Sequence, residues 1–165
     1  PERIAANYQV SNGADHPLVL FDLLYRTAED GARLPDLSQC YRSLDEAGVL
    51  VVFKGVPALP PDRDVESPEM PFARIVMPGG IARGRVLFDF PVTAHLAYPP
   101  PLAKKPVVLP YRPQSPARLV IGCAPADAAL KTKTFQVAGE TYHSVPHNWA
   151  VQRQRLIARE VADLA

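Results

Sequence analysis

Nineteen prolines scattered through 165 residues set the first limit on how this chain folds. Proline has no backbone N–H and a fixed φ, so it is kept out of helix interiors and out of the middle of sheets. Its share here is more than twice the usual value of about 5%. The prolines follow no repeat, so they read as punctuation between short elements. Length and an ordinary apolar fraction of 47% point to one domain over residues 1–165.

Between the prolines, apolar spacing predicts three helices. Asp15-His16-Pro17 resembles a helix start, and Leu18, Phe21, Leu24, Tyr25 and Ala28 then recur at steps of three and four. Asp22 and Arg26 would pair on the outer face, with Gly31 as the stop. Pro35 opens a second helix striped by Leu37, Cys40, Tyr41, Leu44 and Ala47 and closed by Gly48. A third runs from about Asn148 to Leu164, turning Trp149, Ile157, Val161 and Leu164 to the core, with Leu156 beside them.

Strands are expected at Val49 to Phe53, Val92 to Tyr98, Val107 to Tyr111 and Ala117 to Cys123. Phe72 to Met77 and Ile81 to Phe90 read as a hairpin about Pro78-Gly79-Gly80. The second arm sets Arg83 and Arg85 on a wet face against Ala82, Gly84, Val86 and Phe88. Thr134 to Ala138 and Thr141 to Val145 flank a tight turn at Gly139-Glu140, and Ala126 to Lys131 is expected as one helical turn. The sum is an α+β domain: an antiparallel, proline-interrupted sheet or meander with two N-terminal helices and one C-terminal helix. Residues 1–14 would form an extended N-terminal arm and residues 55–71 an exposed loop.

Two cysteines, Cys40 and Cys123, are too few for a disulfide scaffold and suit a reducing compartment. No apolar run reaches the roughly 18 residues of a membrane span, so the expectation is a soluble, cytoplasmic protein that engages no membrane. The net charge of +1 hides a polarity: residues 1–72 hold six Lys/Arg and twelve Asp/Glu, whereas residues 73–165 hold twelve and five. Such polarity steers partners of opposite charge to opposite sides, unless the two halves interleave in space.

Three groupings carry chemistry. Cys123 ends an apolar strand just before Ala124-Pro125-Ala126-Asp127, where a helix start would stabilise a thiolate. His143 or His95 would be its base and Asp127 or Asp89 the group orienting that base, a cysteine hydrolase or transferase. The alternative is a cysteine buried in a core. The basic residues Arg83, Arg85, Lys104, Lys105, Arg155 and Arg159 are candidate binding residues, for an acidic protein partner or for nucleic acid. His143 and His147 stand four apart, but Pro146 breaks the helix that would align them, so no metal and no cofactor is expected. There is no phosphate-binding Gly-rich loop, no Gly-x-Ser-x-Gly, no His-Glu-x-x-His and no Cys-x-x-Cys.

A helix, a meander, the stretch Phe90-Pro91 to Pro99-Pro100-Pro101, and Tyr142-His143 before a late helix together resemble the ubiquitin-conjugating fold. That family places its reactive Cys after its His-Pro-Asn segment, and here no Cys follows His143. The leading expectation is therefore a non-enzymatic interaction module, a subunit of a larger intracellular assembly with protein partners. The cysteine enzyme and the nucleic-acid-contacting domain are the alternatives.

Overall fold

A computed structural model describes residues 2–101 and 105–161. Strands account for 49% of the chain and helix for 4%, so the α+β expectation gives way to a mostly β fold. The elements are β1 (Glu2–Ser11), β2 (Leu18–Thr27), β3 (Arg33–Asp36), β4 (Tyr41–Leu44), β5 (Leu50–Lys54) and β6 (Phe72–Val76). They continue as β7 (Ile81–Phe90), β8 (Ala117–Pro125), β9 (Lys133–Val137), β10 (Glu140–Ser144), α1 (His147–Arg153) and β11 (Arg155–Val161).

β1 and β7 make an antiparallel ribbon, in register from Glu2 opposite Phe90 to Ser11 opposite Ile81. The other strands form one sheet in the order β4-β5-β8-β2-β6-β10-β9, with β11 added to β8 and β3 to β2. The ribbon lies on one face, where Ile4, Val86 and Phe88 pack with Leu50, Val52 and Ala117. Farther along, Ala82 meets Leu20, Val76, Ile121 and Cys123. On the opposite face Trp149 and Ala150 of α1, with Val56, cover Val19, Phe21, Ala73 and Ala124. Alternation explains the layering: along β1, Ile4, Ala6, Tyr8 and Val10 are covered while their neighbours are exposed.

β8 organises the sheet. Its Cys123 pairs with Arg155 and with Leu20, and its Ile121 pairs with Ile157 and with Lys54. A strand has two edges, so β11 runs along one while β5 and β2 share the other in succession. β5 joins parallel to β8; β2 and β11 join antiparallel. The sheet therefore forks where β5 ends and β2 takes its place.

The predicted first helix is β2. Its Val19 and Phe21 pack beneath α1 while Leu20 and Asp22 face the ribbon. A strand buried on both faces is apolar at nearly every position, so it satisfies helical spacing as readily as strand spacing. Gly31, read as a helix stop, takes φ 82° in the turn to β3, where its N–H donates to the Ala28 carbonyl at 2.9 Å. The predicted second helix is β3 and β4. Between them Asp36 Oδ1 accepts from the Ser38 N–H at 2.9 Å and the Ser38 hydroxyl at 2.6 Å, fixing a bend that a helix would exclude. The predicted C-terminal helix stops at Arg153, and Arg155–Val161 pairs with β8 over seven residues instead. Leu156 and Ile157 are exposed rather than core, and Leu164 lies outside the described residues. Without these helices the resemblance to the ubiquitin-conjugating fold has no basis.

Strands do stand near Val49 to Phe53, Ala117 to Cys123 and on both sides of the late tight turn. That turn centres on Ala138 and Gly139, both with positive φ (51° and 82°). The predicted hairpin at Pro78-Gly79-Gly80 has its turn but not its pairing: β6 pairs with β2 and β10, and β7 crosses to β1. Asn12 ties this crossing down, its Nδ2 donating to the carbonyls of Val76 and His16 at 2.8 and 2.9 Å. The segments around Val92 to Tyr98 and Val107 to Tyr111 contribute isolated bridges, Arg42 to His95 and Thr93 to Val108. The arm expected over residues 1–14 is mostly β1. The loop over residues 55–71 has no strand or helix, and its first residues, Gly55 to Pro57, are buried.

Candidate functional site

The fork in the sheet gathers the charged groups of the core. Alternation along β5 turns Leu50, Val52 and Lys54 to the ribbon side, so a lysine occupies a core position and is fully buried. Its Nζ donates to the carbonyls of Arg85 at 2.9 Å and Asp22 at 3.2 Å, to the carbonyl of Leu37, and to the Tyr8 hydroxyl at 3.2 Å. One side chain thus satisfies backbone carbonyls of β2, β7 and the turn after β3. Tyr8 in turn donates to Asp22 Oδ2 at 2.7 Å. Arg74 of β6 grips both oxygens of the fully buried Asp22, Nε to Oδ1 at 3.0 Å and Nη2 to Oδ2.

Burial pulls the Lys54 ammonium down to about 8, with Asp22 acting in the opposite direction. Burial, and then the Asp22 charge, pushes the Tyr8 phenol far above its ordinary value. Gly84 of β7 lies over Tyr8: a Cβ there would come within 2.2 Å of the ring. Lys54 and Asp22 are fully buried, whereas Arg74 and Tyr8 reach the surface.

The sequence-predicted cysteine centre is not assembled. Cys123 is buried under the ribbon with Leu20, Val76, Ala82 and Ile121, and burial raises its thiol, which disfavours a thiolate. Asp127 serves α1, accepting from Trp149 Nε1 at 3.0 Å and Arg153 Nε at 2.6 Å, contacts that hold its carboxyl low. His143 lies on β10 opposite Ala73 of β6, with Nδ1 at 3.4 Å from the Thr134 hydroxyl. His95 Nδ1 meets the Cys40 carbonyl at 2.8 Å, and Asp89 pairs with Arg3 at 3.4 Å on the surface. None of these groups hydrogen-bonds to Cys123 among the described residues. His147 opens α1 without capping it, and its buried Nε2 has no partner there. No three His, Cys, Asp or Glu side chains converge as a metal site requires, again among the described residues.

The basic candidates fall on separate surfaces. Arg83 and Arg85 stand on the outer face of β7, as alternation predicts, and Lys105 is exposed in the loop before β8. Lys104 lies outside the described residues. Arg155 and Arg159 flank Ile157 on β11. The charge polarity of the sequence is interleaved in space, since Arg74 meets Asp22 and Arg118 meets Asp45 at 3.2 Å across the two halves.

β11 is the open element. It pairs with β8 alone among the described residues, leaving its other edge without a strand. Leu156 is 58% exposed and Ile157 39%, values that mark both faces as uncovered. Ile157 and Arg159 join Leu119, Ile121 and Tyr8 to Ser11 around an apolar groove of about 230 Å³ between β11 and the ribbon. The strand is held in place from its start by Gln154. Its side-chain amide accepts from the Val56 N–H at 2.8 Å and donates to the Val56 carbonyl at 3.0 Å, as a neighbouring strand would. Gly122 leaves the space, because a Cβ there would meet Gln154 Oε1 at 2.0 Å.

A second opening lies at the far end of β2. A cleft of about 330 Å³ is bounded by Leu24 to Thr27, Gln39, Tyr41, Glu69 and His95 to Ala97. The Tyr25 hydroxyl donates to Glu69 Oε2, while the Glu69 N–H donates to the Tyr98 hydroxyl at 2.9 Å. Burial followed by the Glu69 contact pushes Tyr25 up to about 12. No known protein family, curated protein or solved structure matches this chain.

Sequence reasoning missed both the fork and the cleft. For the fork a signal existed: the period-two row Leu50, Val52, Lys54 places the lysine inward. For the cleft there was none, because Tyr25, Tyr41, Glu69 and His95 come from four separate segments.

Proposed function

We propose that this chain is a non-enzymatic interaction module, a subunit of a larger assembly, that receives an extended acidic segment of a protein partner on the free edge of β11. The observation that carries the reading is the uncovered edge itself, with Arg155, Ile157 and Arg159 in a row on one of its faces. An added strand supplies main-chain hydrogen bonds, and its side chains select by what they oppose. Opposite Arg155, Ile157 and Arg159 the complementary order is acidic, apolar, acidic at alternate positions. Soluble proteins normally blunt a free edge, whereas here Leu156 and Ile157 expose apolar surface on both sides of it. The reading takes the cytoplasm as its compartment, supported by two cysteines that are both free and buried. No described helix is long and apolar enough to cross a membrane.

The test is fluorescence anisotropy with short labelled peptides that alternate Glu and Val, beside basic and scrambled controls. The acidic peptide should bind, weaken as salt rises, and lose about tenfold or more in affinity with Arg155→Glu and Arg159→Glu combined. Failure of every peptide at low salt defeats the reading. A single-stranded oligonucleotide that outcompetes the acidic peptide replaces it with a nucleic-acid partner. Concentration-dependent self-association abolished by Ile157→Lys assigns the edge to a second copy.

A further inference from the structure

We infer that the outer face of the β1–β7 ribbon reads the major groove of double-stranded DNA, setting Asn7, Gln9, Arg83 and Arg85 against the base edges. Alternation and register put all four on that face: Asn7 stands opposite Arg85 and Gln9 opposite Arg83, with Ser11 beside them. These side chains are exposed, and none has a hydrogen-bond or ion-pair partner among the described residues. No carboxylate joins them. The acids of the ribbon, Glu2 and Asp89, lie at its other end, where Asp89 pairs with Arg3 at 3.4 Å. An acidic peptide would answer the two arginines alone, whereas base edges answer the two amides as well.

The backbone brings the four close together. β7 turns the Arg83 and Arg85 carbonyls away from β1, to Arg74 Nη1 and Lys54 Nζ at 2.9 Å each. Their pairs with Gln9 and Asn7 are therefore the non-hydrogen-bonded kind, in which facing Cα atoms come within about 4.5 Å. Same-face neighbours along a strand lie about 6.8 Å apart, which matches two base steps of about 3.4 Å. Arginine pairs with O6 and N7 of guanine, and asparagine or glutamine with N6 and N7 of adenine. This two-by-two block stands on a ridge. On the β7 side a hollow of about 530 Å³ lies between Arg83 and the turn from β9 to β10. On the β1 side the groove of about 230 Å³ separates Gln9 and Ser11 from β11. Two strands about 4.8 Å apart suit a groove about 12 Å wide, and the hollows leave room for the DNA backbones. Arg159 lines the β1 hollow and attracts a phosphate there, while Glu140 on the other side opposes one. The narrow major groove of A-form RNA would not admit the ridge. Its crest shares no residue with β11 and stands or falls separately from the partner strand.

The experiment selects duplexes from a pool with a randomised core on the intact chain, then measures the selected duplex by fluorescence anisotropy. Its affinity should fall as salt rises. Arg83→Ala and Arg85→Ala should each weaken it about tenfold or more. Asn7→Ala and Gln9→Ala change no charge; each should weaken the selected duplex about fivefold and leave an unselected duplex unchanged. Purines with carbon in place of N7 should weaken binding likewise, because N7 faces the major groove. Arg83→Ala with Arg85→Ala should leave the acidic peptide bound at β11, which keeps the two sites distinguishable. Failure to enrich any duplex overturns the proposal, as does equal affinity for single strands or for double-stranded RNA of the same sequence. Binding that ignores Asn7, Gln9 and N7 also overturns it, since that is contact with phosphate alone.

Discussion

The fork beneath the ribbon and the free edge of β11 are opposites in composition and in exposure. One holds a lysine, an aspartate, an arginine and a tyrosine in the interior; the other holds leucine and isoleucine in water. In the fork these polar groups have partners, so the charges tie β1, β2, β5, β6 and β7 into one arrangement. On β11 the apolar groups have no partner, so whatever free energy their burial holds is still available to an incoming chain. Charged groups thus mark the closed part of this molecule, and unpaired apolar groups mark its open part.

The sharpest way to break that contrast is to remove the anion at the centre of the fork. Asp22→Ala strips Arg74 and Tyr8 of their acceptor and leaves two buried cations, and should cost about 3–5 kcal/mol. Urea denaturation followed by circular dichroism measures it, and a cost near that of a surface change would show the cluster to be idle.

Next in size is the pH response of Lys54. Its folded pKa of about 8 lies below its ordinary value of 10.5, so between those values the unfolded chain binds more protons. Stability from this group therefore rises with pH across that window and is lost as pH falls through about 8. The chemical reason is burial, which disfavours the ammonium and is only partly offset by the Asp22 charge. Cys40, Cys123 and Tyr8, whose values burial raises, act in the opposite sense at alkaline pH. The difference between wild-type and Lys54→Met profiles isolates the lysine, and should grow by about 2–3 kcal/mol from pH 7.5 to 10.5. Parallel profiles would refute it.

Gly84→Ala drives a methyl into the Tyr8 ring and should cost about 1–3 kcal/mol by overpacking. It should lower the thermal midpoint of unfolding followed by circular dichroism. Smallest of all, Leu156→Lys on the open strand should change stability by less than about 0.5 kcal/mol. A larger loss would mean that Leu156 is covered in solution and would erase the contrast with the fork.

How far the sequence betrayed this architecture depends on how far burial imposed a period. β7 was legible because one face packs and the other is wet, so Ala82, Gly84, Val86 and Phe88 alternate with Arg83 and Arg85. β5 was legible as a short apolar run, and its terminal Lys54 stood at an inward position. β2 was illegible because it is buried on both faces, and Leu-Val-Leu-Phe-Asp-Leu-Leu-Tyr fits any period. β11 failed for the opposite reason: exposed on both faces, Arg-Leu-Ile-Ala-Arg-Glu-Val is under no alternation at all and spells an amphipathic helix. The same exposure that hid β11 as a strand is what the proposed partner strand would cover. Arg155 and Arg159 were named as binding residues for their charge, while their geometry depended on β8, more than 30 residues earlier in the chain.

The ribbon has a consequence for the chain as it is made. β1 leaves the ribosome first, yet its whole length pairs with β7, which is complete only at Phe90. β2 waits longer still for Cys123 to Pro125 of β8. β1 therefore stays without a strand beside it until β7 is made, and β2, which gains β3 by Asp36 and β6 by Val76, keeps an edge open until β8, in the state where unpaired strands are most prone to wrong association. Their shielding at that stage falls to whatever meets the nascent chain, so the yield of folded protein should follow elongation rate and chaperone supply more closely than it follows final stability.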